Sequence, residues 1–202
     1  MRAFYSYTIL SMLLSLAGLA MSSMIAEAAD SKPPELEEPQ GKDICKWCEN
    51  DPEILGKLGA LTHEPIAIGP AAWNGSAAFR ANLVASEWVF LETTNFRWAS
   101  SLGAESLNRE AQERMAPYFD RMREAGIKLP KKVKKLDSAL QVHIFAMRGE
   151  EMFERFLEII QHKASDFPDK RQAEGPYMGN GRYLGEADKF EIYLHKSSVT
   201  HR

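Results

Sequence analysis

Apolar and polar positions follow strand-like and helical periods over residues 86–161, and this is the clearest pattern in the chain. The run Trp88–Trp98 is rich in β-branched and aromatic residues, which predicts a strand. The run Leu140–Ala146 has the same character and predicts a second strand. A helical pattern follows each run. We therefore predict the order strand, helix, strand, helix for this stretch.

The first predicted helix has one apolar face, whose residues recur at spacings of three and four: Leu107, Ala111, Met115, Tyr118 and Met122. Pro117 lies inside this pattern and predicts a kink or a break, because proline removes a backbone donor. Gly126 predicts the end of the helix.

The second predicted helix covers Gly149–His162, and Glu150 and Glu151 suit the positive end of its dipole. Its apolar stripe predicts five buried residues: Met152, Phe153, Phe156, Leu157 and Ile160. We expect this stripe to pack against the second predicted strand, at Val142, Ile144 or Phe145.

The flanking segments are shorter or irregular. Asp51 and Pro52 are typical of an N-cap and a first helical position, so a short helix is predicted there, ending at Gly59. Residues 62–85 and 165–188 are rich in Gly and Pro and predict loops. Lys189–His195 alternates polar and apolar residues, which predicts a half-buried strand. The predicted fold class is α+β: a small mixed β-sheet backed by two main helices, with an irregular N-terminal CxxC segment.

The N-terminus has the features of a secretory signal peptide. Arg2 precedes an uncharged apolar run, and Ala26-Glu27-Ala28 is a small-x-small cleavage site, so we predict cleavage after Ala28. A signal anchor is the alternative interpretation. The predicted organisation is a signal peptide (1–28), a disordered Pro-rich leader (29–42), a CxxC segment with an irregular region (43–85) and an α/β core domain (86–202). We therefore expect a secreted or periplasmic protein.

Charge and hydropathy disfavour nucleic acid as a partner and a membrane span in the mature chain. Cleavage would leave 174 residues with 24 basic and 27 acidic side chains, a net charge of −3. This balance does not indicate a nucleic-acid-binding protein. No later run is long and apolar enough to predict a membrane span in the mature chain.

Cys45 and Cys48 are the only cysteines and form a C-x-x-C pair. Three interpretations are open: a structural disulfide, which export favours, a metal site, or a redox pair. With His63 the pair gives three weak candidate metal ligands, whereas a structural zinc site needs about four. Glu49 follows Cys48 where covalent haem attachment would need histidine. No predicted strand precedes Cys45, which disfavours a thioredoxin-like redox motif.

The remaining residues predict no catalytic centre and no cofactor. No HExxH, GxSxG, P-loop or dinucleotide-binding fingerprint is present. His143 and His195 lie in predicted strands and are interpreted as ordinary strand residues. We expect the chain as given not to hydrolyse peptides.

Three stretches resemble exported bacterial proteins, some of which are similar to gluzincin metallopeptidases. The first is Leu91-Glu92-Thr93-Thr94-Asn95-Phe96-Arg97, and the second combines Val142–Phe145 with Glu151–Phe156. The third, Cys45-x-x-Cys48 with Asn50-Asp51-Pro52, resembles a CxxC-bearing group among these proteins. The resemblance implies a strand, a long helix, a second strand and a further helix ahead of a zinc helix. The HExxH segment of those peptidases is missing here, so the resemblance assigns no catalytic residue.

These observations predict an exported, non-catalytic protein with a CxxC disulfide. Two alternatives are a truncated or non-catalytic relative of a zinc-metallopeptidase-like family, and an envelope thiol-redox protein. The sequence does not identify a ligand or a partner.

Overall fold

The computed structural model describes residues 43–69, 76–82, 87–170 and 175–196, all within one compact unit, Glu35–Arg202. The predicted signal peptide and Pro-rich leader lie outside the described residues. The helices are α1 (Pro52–Lys57), α2 (Ser76–Asn82), α3 (Arg109–Ala125) and α4 (Ser138–Ile159), with a 3₁₀ turn at Ala164–Asp166. The strands are β1 (Ala60–Thr62), β2 (Val89–Thr93), β3 (Phe96–Ser100), β4 (Glu105–Ser106), β5 (Lys135–Leu136) and β6 (Phe190–Leu194).

Four strands form a mixed sheet in the order β1-β2-β3-β6. Neighbours β1, β2 and β3 are antiparallel, and β6 pairs parallel with β3, with Phe96 opposite Phe190. The two short strands β4 and β5 pair with each other. The predicted fold class, α+β with a small mixed sheet, is confirmed.

The described sheet is covered on both faces. Alternate residues of a strand point to opposite faces. Leu91 and Trp98 belong to the larger core cluster, which includes the inner side of α4 and the CxxC segment. Phe90 and Ala99 belong to a second cluster with Phe79 of α2. The larger cluster therefore brings the start of the described chain against α4.

Helix boundaries follow the local sequence signals. The Asp51 carboxylate accepts the backbone N–H groups of Glu53 and Ile54, which caps α1 as predicted. Gly126 ends α3 in the left-handed conformation, also as predicted. Of the kink or break predicted at Pro117, the break is wrong, because α3 continues through this residue.

The predicted second strand, Leu140–Ala146, is wrong: these residues are helical and form the first half of α4. The run contains two polar residues, Gln141 and His143, but both are buried with their apolar neighbours, and burial on most sides of a helix produces a sequence that resembles a buried strand. The predicted helix at Gly149–His162 is the second half of the same element. The strand that the peptidase resemblance implied is therefore a helix here.

The predicted burial of the second half of α4 is partly wrong. Phe153 and Leu157 are buried, whereas the side chains of Met152 and Phe156 are 63% and 46% exposed. The helix is longer than predicted and packs against β2 and β3. Only the residues that face the sheet are covered.

Among the remaining loops and strands, one prediction is confirmed and two are wrong. Trp88–Trp98, predicted as one strand, contains a turn and forms most of the β2–β3 hairpin. The predicted loop at 62–85 includes helix α2. The strand predicted at Lys189–His195 is confirmed as β6. Among the described residues, no helix combines the length and the hydropathy that a membrane crossing requires.

Candidate metal centre

The CxxC segment is a compact turn that Asn50 holds together. The backbone N–H of Cys45 donates to the Asn50 side-chain oxygen at 3.0 Å, and the Asn50 amide donates to the Asp43 carbonyl at 3.0 Å. Glu49 and Asn50 have positive φ angles of 52° and 55°. Asparagine tolerates this left-handed conformation better than most residues. The turn directs both cysteine side chains into the core, where they are buried free thiols.

Asp137 ties this turn to the start of α4. Its carboxylate caps the helix by accepting the Leu140 N–H at 2.9 Å. The same carboxylate accepts the Trp47 indole N–H at 3.0 Å and pairs with the Lys46 ammonium at 2.8 Å. The two residues between the cysteines are therefore both anchored to the helix that carries His143.

The thiols meet His143 in the core. The Cys45 Sγ lies 3.7 Å from His143 Nε2, across 98 positions of sequence. Ligand atoms of Cys45, Cys48 and His143 all lie within 4.8 Å of one another. All three residues are buried. His143 lies in helix α4 and not in the strand that was predicted. This position places its side chain next to the two cysteines.

His63 lies beside this group. Its ring centroid is 5.4 Å from that of His143, at an interplanar angle of 42°. The residue is 3% exposed, and neither ring nitrogen has a hydrogen-bond partner in the described part of the chain. Buried polar atoms are nearly always hydrogen-bonded. Two unpartnered nitrogens next to two thiols and a second imidazole therefore point to a ligand.

The backbone next to His63 is held by a buried ion-pair network. Arg80 pairs with both Glu64 and Asp43, and the Phe90 N–H donates to the Glu64 carboxylate at 3.0 Å. Burial raises the pKa of Glu64 to about 7, although the Arg80 guanidinium opposes the shift. The network fixes the position of the main chain at His63.

The two thiols differ strongly in acidity. A hydrogen bond from Cys48 lowers the pKa of the Cys45 thiol far below its ordinary value, against the opposing effect of burial, and both imidazoles lower it further. The same hydrogen bond and burial raise the pKa of Cys48. Burial lowers the pKa of His143. A thiolate beside neutral imidazole is the state in which these side chains bind metal ions.

The donor set suits a soft or borderline transition metal. Thiolate and imidazole are the ligands of tetrahedral Cys2His2 zinc sites, whereas Ca²⁺ and Mg²⁺ prefer oxygen. Of the predicted candidates, Cys45 and Cys48 belong to the group whose ligand atoms lie within 4.8 Å of one another, and its third member is His143, which the prediction missed. The predicted ligand His63 lies outside that group and packs against the ring of His143.

The other histidines lie elsewhere. His162 is on the surface, 3.3 Å from the Asp166 carboxylate. His195 packs against Trp88, and His201 is outside the described residues. The available signal for His143 was a polar residue inside a mostly apolar run. Because the run was assigned to a strand, the sequence did not indicate which way the His143 side chain points.

Comparisons with protein-family models, curated proteins and solved structures give no match to this chain. The resemblance to exported CxxC proteins therefore stays a prediction, and the functional assignment rests on the arrangement of Cys45, Cys48, His143 and His63.

Proposed function

We propose that this protein binds one transition-metal ion of the zinc class through Cys45, Cys48 and His143, with His63 beside them as the fourth donor. The observation that carries the proposal is the convergence of three buried ligand atoms within 4.8 Å. They come from a turn and a helix that are far apart in the sequence. The unpartnered nitrogens of His63 add independent support.

Charge balance favours an ion in this position. Two thiolates in a buried site carry two negative charges, which are costly to bury unless they are neutralised. A divalent cation neutralises them, and the two histidines add donors without adding charge. The bound ion would join the CxxC turn to α4 and stabilise the folded state.

The test is metal binding by the reduced, chelator-treated full-length chain. Titration with Co²⁺ should give one bound ion per chain, with sulfur-to-metal charge-transfer and tetrahedral visible bands. Zn²⁺ should displace the Co²⁺. Separate Cys45→Ser, Cys48→Ser and His143→Ala variants should each lose these bands or bind at least about tenfold more weakly.

His162→Ala is the matched control, because it removes an exposed histidine from the same chain. It should bind like the wild type. Equal binding by all the variants, or no binding by the wild type, would refute the proposed metal centre. Circular dichroism of the metal-free variants separates lost ligands from lost folding.

A thiol–disulfide function is the second candidate, and the contact between the two thiols favours it. Their sulfurs are close, and the hydrogen bond from Cys48 lowers the pKa of the Cys45 thiol. Low-pKa thiols in CxxC motifs undergo exchange readily. In this alternative, oxidised protein would be the resting form and would not bind Co²⁺ until it is reduced.

Export and a non-catalytic role complete the proposal. Export is supported by the N-terminal pattern of Arg2, an apolar run and Ala26-Glu27-Ala28. The non-catalytic role is supported by the lack of a recognisable catalytic motif in the sequence. N-terminal sequencing of protein from the producing cell should begin at Ala29. An intact Met1 on a cytosolic product would contradict export without affecting the metal centre.

A further inference from the structure

Two members of the ligand group, Cys45 and His63, border a cleft in the described part of the chain. The cleft has a volume of about 250 Å³ and is lined by residues that include Cys45, His63, Lys46 and Trp88. Cys48 and His143 are not among its described lining residues. A metal ion held by the four donors would therefore have an accessible side, at Cys45 and His63, and a protected side.

His63 is the least constrained of the donors. The other three have ligand atoms within 4.8 Å of one another, a group that does not include His63. Histidine ligands are usually oriented by a hydrogen bond from their second ring nitrogen. His63 has none in the described structure, and its ring contacts the ring of His143. Its imidazole is therefore the donor that an incoming ligand would displace most easily.

We propose that the cleft binds a small thiol, whose sulfur replaces His63 as the fourth ligand of the metal. This inference rests on the proposed metal centre. In the exchange, the thiol releases its proton to solvent, its thiolate forms a bond to the metal, and the bond from His63 breaks. Nothing is oxidised or reduced.

The preference of the metal for sulfur favours this ligand class. Two protein thiolates already neutralise a divalent ion, so a third thiolate adds one negative charge. The cleft is lined by Lys46 and by three carboxylates, of which Asp137 pairs with Lys46 and Glu64 pairs with Arg80, so the lining itself carries little uncompensated charge besides Glu87. A metal that selects thiolates prefers sulfur to an oxygen anion. The cleft is smaller than the ~300–1,000 Å³ typical of sites for drug-sized molecules, which limits the thiol to about the size of an amino acid.

The experiment is a spectroscopic titration of the Co²⁺-loaded, reduced full-length chain with 2-mercaptoethanol, using ethylene glycol as the oxygen control. The thiol should raise the sulfur-to-metal charge-transfer absorbance by about half, because a third sulfur joins two. Ethylene glycol should change nothing. His63→Gly should respond at a lower thiol concentration, and imidazole should restore its wild-type spectrum.

His143→Gly is the control for access. Imidazole should fail to restore its spectrum, since His143 is on the protected side. If Co²⁺ stays bound one-to-one and the thiol changes neither the wild type nor His63→Gly, the inference is wrong and the metal centre stands. Loss of Co²⁺ to the thiol during gel filtration also overturns it. Failure of Co²⁺ to bind at all overturns both proposals, and the wild-type titration decides the matter if His63→Gly does not fold.

Discussion

Gly149 of α4 lies directly over the indole of Trp98 in β3. A β-carbon added at Gly149 would overlap Cζ2 of that ring and lie 2.8 Å from Cη2. Glycine weakens a helix interior. At this position, however, the missing side chain lets α4 approach the sheet closely, so that its first half can bring His143 to the cysteines.

Gly149→Ala should therefore destabilise the protein, by about 1–3 kcal/mol, as overpacked cores usually do. Chemical denaturation measures the change. The control is Gly56→Ala in α1, where an added β-carbon meets nothing within 4 Å. That variant should be neutral or slightly more stable, since alanine favours a helix. Equal changes in the free energy of unfolding of the two variants would mean that α4 and Trp98 are not in contact.

Two phenylalanines of α4 should respond differently to truncation. Phe153 is buried and packs edge-on against Phe96, so Phe153→Ala should cost about 3–5 kcal/mol. Phe156 is half-exposed. Phe156→Ala should cost less than about 1 kcal/mol, close to other surface substitutions. Melting temperatures of both variants measure this, and a larger loss for Phe156 would contradict the orientation of the helix.

Local signals predicted the fold class, several helix ends and the last strand, and they failed for the first half of α4, where burial removes the periodicity. The cap at Asp51, the stop at Gly126 and the alternation in β6 each depend on neighbouring residues. Residues 140–147 are enclosed on several sides by the sheet and the CxxC segment. Its two polar residues, Gln141 and His143, are buried together with the apolar ones, so its sequence does not distinguish a helix from a strand.

The site was predicted only in part for a related reason. Cys45 and Cys48 are adjacent in sequence and recognisable as a pair, and His63 is not far along the chain. His143 joins them through a contact across 98 positions. That contact depends on the direction of α4 and on the Asp137 anchor, and neither is encoded in ligand spacing.

Asp137 should contribute separately as a helix cap and as an anchor for the CxxC turn. Asp137→Ala loses both the cap of α4 and the acceptor for Trp47, and should cost about 1–2 kcal/mol. Asp137→Asn keeps a capping oxygen and loses the ion pair with Lys46, so its cost should be smaller. Urea denaturation separates the two. If Asp137→Asn lost more free energy of unfolding than Asp137→Ala, the charge of Asp137 would matter more to stability than its capping hydrogen bond.

The metal-free cysteine pair should oxidise to a disulfide. After chelator treatment and mild oxidation, mass spectrometry should find the chain lighter by two hydrogens, and Co²⁺ binding should be lost until a reductant is added. The closed loop is very short, so the gain in stability should be small. Cys48→Ser is the control that cannot form this bond. Thiols that stay free under these conditions would exclude the disulfide and the redox alternative together.

Asp188 should stabilise the protein at neutral pH and not in acid. Partial burial would raise the pKa of Asp188, but its hydrogen bond with Arg97 and the charge of that residue outweigh burial and hold the pKa below its ordinary range. A carboxyl with a lowered pKa in the folded state contributes stability above its unfolded pKa. That contribution disappears as pH falls through the folded value.

Asp188→Asn should therefore lower the melting temperature slightly at pH 7, and the difference from the wild type should vanish well below about pH 4. The effect is small because the side chain is 71% exposed. Asp169→Asn makes the same charge change on the exposed surface and is the matched control. A difference that grows in acid would have the wrong sign for this ion pair.

The parallel pairing of β6 with β3 determines when the sheet can be completed during synthesis. Phe190 pairs with Phe96, about a hundred positions earlier, whereas β2 and β3 form a local hairpin. Long-range parallel pairing is slow, because a long loop must close before any contact forms. The last strand of the sheet therefore docks only after most of the chain has left the ribosome. Until β6 docks, β3 is an edge strand whose outer backbone groups have no sheet partner.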